Sequence, residues 1–222
     1  MKLTRRSFLA VTGASPFALT RGVCLGREGC LVLGSGARGL SESAAGYLQS
    51  SGHASSRTPM TPGRAATVVV PAAIIDRSSS RRLRDAAWSG QSVLVEVGLA
   101  FVDDTEAGVQ RSLLADAFDV GVREVVHLWH EGRGRVPYVR YDWPVAAWVR
   151  DYSRAVVLDG AGWRVIASIE GRPVAVRRRV GRGALTILGS PLGPALRAGD
   201  REAVTWFAAF LDGAAASHAF GG

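Results

Sequence analysis

Cysteine is almost missing from these 222 residues: Cys24 and Cys30 are the only two. No Cys-x-x-C pair and no Cys/His spacing suited to an ion is present, so no metal site is expected. Cys30 opens an apolar run, where a buried thiol is at home. After the N-terminus, no stretch is long and apolar enough to span a bilayer. Repeats are lacking, and so is any sign of a second domain. Charged residues are 21% and hydrophobic residues 47%, which suits a globular chain with a real core and excludes disorder. The densest basic run, Arg177-Arg178-Arg179 with Arg182 after it, has no interleaved aromatics of the kind that stack bases. Nucleic acid is therefore not an expected partner. The run reads as a solvated strand end, with phosphate or an anionic surface as the functional alternative.

At the N-terminus, Thr4-Arg5-Arg6-Ser7-Phe8-Leu9 joins an arginine pair to a modest apolar run through Leu19. This pattern resembles the bacterial twin-arginine export signal. The resemblance implies a signal segment over residues 1–21, the export machinery as a partner, and a periplasmic or extracytoplasmic location reached in the folded state. No stable membrane span is expected apart from that segment. The formal net charge is +8, and Lys2, Arg5 and Arg6 supply three of the positive charges. Residues 22–222 are then expected to form a single α/β domain.

Along that domain, short apolar runs alternate with helical spacing. Strands are expected at Cys30–Leu33, Thr67–Val70 and Ser92–Val97, and around Val125–Trp129. Helices are expected from Leu40 to Leu48, Ser78 to Trp88 with Ser78 or Ser79 as cap, Thr105 to Phe118, and Ala203 to Leu211. Residues 53–66 read as a loop, and the proline-marked aromatic stretch Pro137 to Trp148 as irregular. Near-continuous Val/Leu strands separated by helices predict a three-layer α/β fold. Its sheet would be mostly parallel, with helices on both faces. The last third alternates instead: Arg164–Glu170, Pro173–Arg179 and Ala184–Leu188 predict an antiparallel C-terminal meander.

Three groups of residues carry candidate chemistry. Gly34-Ser35-Gly36-Ala37-Arg38-Gly39 follows a strand and opens a helix, the context of a dinucleotide turn. The acid that should end the next strand is replaced by Arg57-Thr58-Pro59-Met60. No cofactor is therefore expected, with a nucleotide or flavin as the alternative. Glu96 is a carboxylate inside an apolar strand, costly unless paired, either with a ligand or with a helix arginine such as Arg82 or Arg84. His127-x-x-His130-Glu131 offers two imidazoles, but on a strand they point to opposite faces and cannot share an ion.

Val68 to Asp76, Val93 to Phe101, and the Ile166–Pro191 meander ending Leu-Thr-Ile-Leu-Gly-Ser-Pro together resemble the class I glutamine amidotransferase-like, flavodoxin-like fold. In that family the third strand leads to a turn bearing a cysteine nucleophile. Gly98-Leu99-Ala100 holds none, so no Cys-His-Glu amidase site is expected. The resemblance implies a non-catalytic binding or accessory protein. Its ligand cleft would lie at the strand C-terminal edge, lined by Gly34, Ser35, Gly36, Gly39, Pro71, Asp76 and Gly98. The occupant would be a small molecule or a protein partner. The alternatives are a nucleotide- or flavin-dependent oxidoreductase built on Gly34–Gly39, and a hydrolase using Glu96 with His127 or His130.

Overall fold

The computed structural model describes residues 22–25, 30–33, 42–51, 67–71, 76–97, 104–128, 137–151 and 154–219. In chain order these form β1 (Gly22–Leu25), β2 (Cys30–Leu33), α1 (Glu42–Ser50), β3 (Thr67–Val70), α2 (Arg77–Trp88), β4 (Ser92–Glu96), α3 (Asp104–Phe118) and β5 (Gly121–His127). There follow β6 (Tyr138–Tyr141), β7 (Ala147–Arg150), β8 (Arg154–Asp159), β9 (Arg164–Ile169), β10 (Arg172–Val180), β11 (Gly183–Leu188), α4 (Gly193–Arg197) and α5 (Arg201–Ala219). Residues 1–21, which carry the arginine pair, lie outside the described residues, as do Gly34 to Gly39.

Nine strands make one sheet in the order β1-β2-β3-β4-β11-β10-β9-β6-β7, and β5 pairs with β8 in a second sheet. Only β2–β3, β3–β4 and β4–β11 run parallel. The other pairings in the large sheet, β1–β2, β11–β10, β10–β9, β9–β6 and β6–β7, are antiparallel. The expected three-layer, mostly parallel sheet is thus corrected to a mixed sheet in which antiparallel pairing predominates. Two additions tip the balance. The stretch expected to be irregular, Pro137 to Trp148, folds as the β6–β7 hairpin and extends the antiparallel side. A four-residue strand, β1, caps the parallel side in the opposite direction.

The Val/Leu strands are buried on both faces, and their side chains alternate between two clusters. Val68, Val70, Val93 and Val95 pack with Leu83 and Ala87 of α2 and Leu113, Leu114 and Phe118 of α3. Val69 and Leu94, one residue out of phase, pack with Tyr47 of α1 and Trp206, Phe207 and Phe210 of α5. By the same alternation Glu96 shares the face of Leu94 and points toward α1. α2 begins earlier than its serines suggest, because Asp76 is the cap: its carboxylate accepts from the Ser79 amide at 2.7 Å and from the Ser78 hydroxyl at 2.8 Å.

Candidate functional site

Glu96 ends β4 and is fully buried. A carboxyl there must be satisfied from within, and four donors converge on it. Its Oε2 accepts from the Tyr47 hydroxyl at 2.7 Å and from the backbone amides of Leu192 and Gly193, each at 3.0 Å. Its Oε1 meets the Ser43 hydroxyl in a short hydrogen bond. Ser43 and Tyr47 stand four residues apart on α1, one helical turn, so one face of the helix presents both. Leu192 and Gly193 open α4, where amides have no partner inside the helix. None of the four donors is an arginine: Arg84 instead reaches the Ala117 carbonyl at 3.5 Å.

The two oxygens are unequally served. Burial pushes Glu96 above the usual carboxylate range, and the hydrogen bonds from Ser43, Gly193, Tyr47 and Leu192 offset this only in part. Three donors meet Oε2 and one, the Ser43 hydroxyl, meets Oε1.

A second buried carboxyl lies nearby. Asp151, which follows β7, accepts a short hydrogen bond from the hydroxyl of Ser190, at the end of β11. Tyr141 connects the two electrostatically. Its phenol is raised by burial first, then by Asp151 and by Glu96. Tyr47 is likewise raised well above its usual value, by burial and then by Glu96. Ser43, Tyr47, Glu96, Tyr141, Asp151 and Ser190 therefore form one polar group at the C-terminal end of β4 and β11. That edge is where open α/β sheets place ligands.

Of the residues singled out in the sequence, only Glu96 enters this group. Pro71 is buried at the end of β3. Asp76 is engaged as the α2 cap. Gly34, Ser35, Gly36, Gly39, Gly98 and His130 lie outside the described residues. His127 is exposed at the end of β5 in the small sheet, opposite Arg154, and is not a partner of Glu96. The sequence gives no sign of Asp151 or Ser43 as site residues, shows Ser190 only in the Gly-Ser-Pro loop that closes the meander, and shows Tyr47 only as a helix position. Ser43 and Tyr47 carried the one available signal, two hydroxyls one helical turn apart. Among the described residues no group of three potential ligands could hold a metal ion, and no helix is long and apolar enough to cross a membrane.

No protein-family model matches this sequence, and no curated protein matches it. Solved structures do share its fold. A β-galactosidase from Rahnella sp. R3 superposes with a TM-score of 0.57 at 12% identity, over 77% of this chain and 26% of the enzyme. One from Bacillus circulans sp. alkalophilus gives 0.53 at 14% identity, over 78% and 28%. A cytoplasmic protein of Salmonella typhimurium LT2 gives 0.51 at 15% identity, over 70% and 76%. The chain thus spans about a quarter of the length of the β-galactosidases it matches. These neighbours overturn the expected kinship with glutamine amidotransferases and flavodoxin-like domains, and with it the reading as a non-catalytic amidotransferase-like accessory protein. The resemblance rested on the order of strands and turns, which unrelated lineages share.

Proposed function

We propose that this chain acts in glycoside hydrolysis, as a hydrolase unit whose reacting edge is the C-terminal edge of β4 and β11. The fold likeness to β-galactosidases supports the class of reaction. The observation that carries it within the chain is Glu96, a buried carboxyl whose proton affinity burial raises, linked through Tyr141 to a second buried carboxyl, Asp151. Glycoside cleavage needs one carboxyl that hands a proton to the leaving oxygen and one that stays ionised. Glu96 suits the first role. Asp151, an acceptor from Ser190, suits the second. His127 has no part in this scheme. Both carboxyls are enclosed, so turnover requires α1 and the turn at 189–193 to part and admit the sugar.

The test is an assay of the purified chain against aryl β-galactosides and related aryl glycosides, with Glu96→Gln and Asp151→Asn beside the wild type. Loss of a general acid lowers the rate by about 10²–10⁴-fold. Hydrolysis by the wild type with a loss of that size in a folded Glu96→Gln variant supports the reading. A wild-type chain that cleaves none of the substrates, or a variant that cleaves them as fast, overturns it.

A further inference from the structure

At the opposite edge of the sheet lies a groove of about 820 Å³, within the range of about 300–1,000 Å³ usual for small-molecule sites. Ser92 and Ala184 place it at the N-terminal ends of β4 and β11, away from Glu96 and Leu188 at the other ends. Trp143, Pro144, Arg164, Arg177 and Arg179 form much of its wall.

The sheet sorts the arginines by face. Arg164 and Arg177 are direct cross-strand partners on β9 and β10, and Arg179 lies two residues on, on the same side. Arg178 also borders the groove, but its guanidinium is engaged by other groups: Asp119 at 3.2 Å, the Phe118 carbonyl at 3.0 Å, and the Trp163 ring at 4.7 Å. The groove face is different. Among the described residues no carboxylate pairs with Arg164, Arg177 or Arg179. Like charges placed opposite each other on adjacent strands repel. The strain shows in Arg177, which burial first, then Arg164 and Arg179, bring down to about 10. Its guanidinium is nonetheless fixed, stacked 4.0 Å over the Trp143 ring and 3.5 Å from the Thr186 hydroxyl. Trp143 is held in turn by the Trp206 indole, which donates to its carbonyl at 2.7 Å. Three cations are thus gathered on one wall with no carboxylate paired to them among the described residues, and one of them is fixed by its stacking on Trp143.

We propose that this groove binds a small anion carrying two or more phosphate, sulfate or carboxylate groups, gripped by Arg164, Arg177 and Arg179. Guanidinium forks pair with such oxyanions through two parallel hydrogen bonds, and a second anionic group lets one ligand span two arginines. The site is separate from the glycoside reading and does not depend on it.

Calorimetric titration of the full chain with tripolyphosphate, a multiply sulfated disaccharide and citrate tests this, and the probe that binds most tightly identifies the source of the anionic groups. One-site binding is expected for at least one probe, weakening as salt is raised. Arg164→Gln with Arg179→Gln, both at exposed positions, should weaken it by about tenfold or more, whereas Arg111→Gln, on α3 and outside the groove lining, should leave it unchanged. The folding of each variant is followed by its melting temperature. Absence of binding to all three probes overturns the proposal. So does equal affinity in the double variant, or tighter binding to single-stranded DNA than to any of the small anions.

Discussion

Gly46 and Gly193 meet backbone to backbone: a Cβ on Gly46 would collide with the Gly193 carbonyl oxygen. From the other side, a Cβ on Gly193 would collide with Ser43, one turn before Gly46 on α1. α1 and α4 therefore pack with no room for a side chain between them at this point. The same two elements supply all four donors to Glu96. Their approach is what brings a helix face and a helix N-terminus to a single carboxyl.

Substitution of Gly46 by Ala should be costly. The obstructing atoms are backbone and cannot rotate away, so α1 must lift off α4. Overpacking of this kind costs about 1–3 kcal/mol, seen as a lower melting temperature or denaturation midpoint. Gly108 in α3 is the matched control, since a Cβ there would meet nothing within 4 Å. Gly108→Ala should stabilise the chain by about 0.5–1 kcal/mol through helix propensity. Equal effects at the two positions would contradict the close approach.

Stability should depend on pH through Glu96, with a definite sign. Burial raises its proton affinity in the folded chain above the ordinary value of 4.5. Between that value and the higher folded one, the folded chain holds a proton that the unfolded chain has released. Unfolding then releases a proton, so the Glu96 contribution is full below about pH 4.5 and declines as pH rises through the folded value. Glu96→Gln removes the titration while its oxygen can still accept the three donors at the Oε2 position. Melting curves across pH should show this decline in the wild type and a flatter profile in the variant. Glu96→Ala should instead fail at every pH, because orphaned buried donors cost about 1–3 kcal/mol each.

Cys30 should be chemically silent in the folded chain. It is a free, buried thiol, and burial pushes it up to about 12. The thiolate is the reactive form, so at pH 8 a thiol reagent should label Cys30 only as fast as the chain opens. Rapid labelling before addition of denaturant would show that the β2 edge is not closed.

Much of the local structure was legible in the sequence, and the architecture was not. Thr67–Val70 and Ser92–Glu96 announce themselves as continuous apolar runs, because strands covered on both faces need no polar side. β9, β10 and β11 are marked by their turns at Gly171 and Gly181, both of which take positive φ. The β6–β7 hairpin was hidden by composition: Tyr138 and Trp148 occupy outward positions where polar residues usually reveal the alternation. Glu96 stood out at once as a charge in an apolar strand. Its partners did not, since Ser43 and Tyr47 are ordinary helix residues until α4 is brought against them. β1 and the β6–β7 hairpin, neither of which the sequence marks as strands, are what tip the expected mostly parallel sheet with its antiparallel meander toward antiparallel pairing.

β11 is also the seam of the molecule, parallel to β4 on one side and antiparallel to β10 on the other. This has a consequence for synthesis. The ribosome delivers β4 well before β11, and until β11 emerges the inner edge of β4 has no neighbour. A nascent chain halted before residue 183 would carry an apolar strand with a bare edge, the situation that invites pairing with another chain. The two halves of the sheet cannot be sealed from the N-terminus onward. The final assembly waits for β11, the slow, long-range kind of closure that leaves a chain dependent on protection while it is being made.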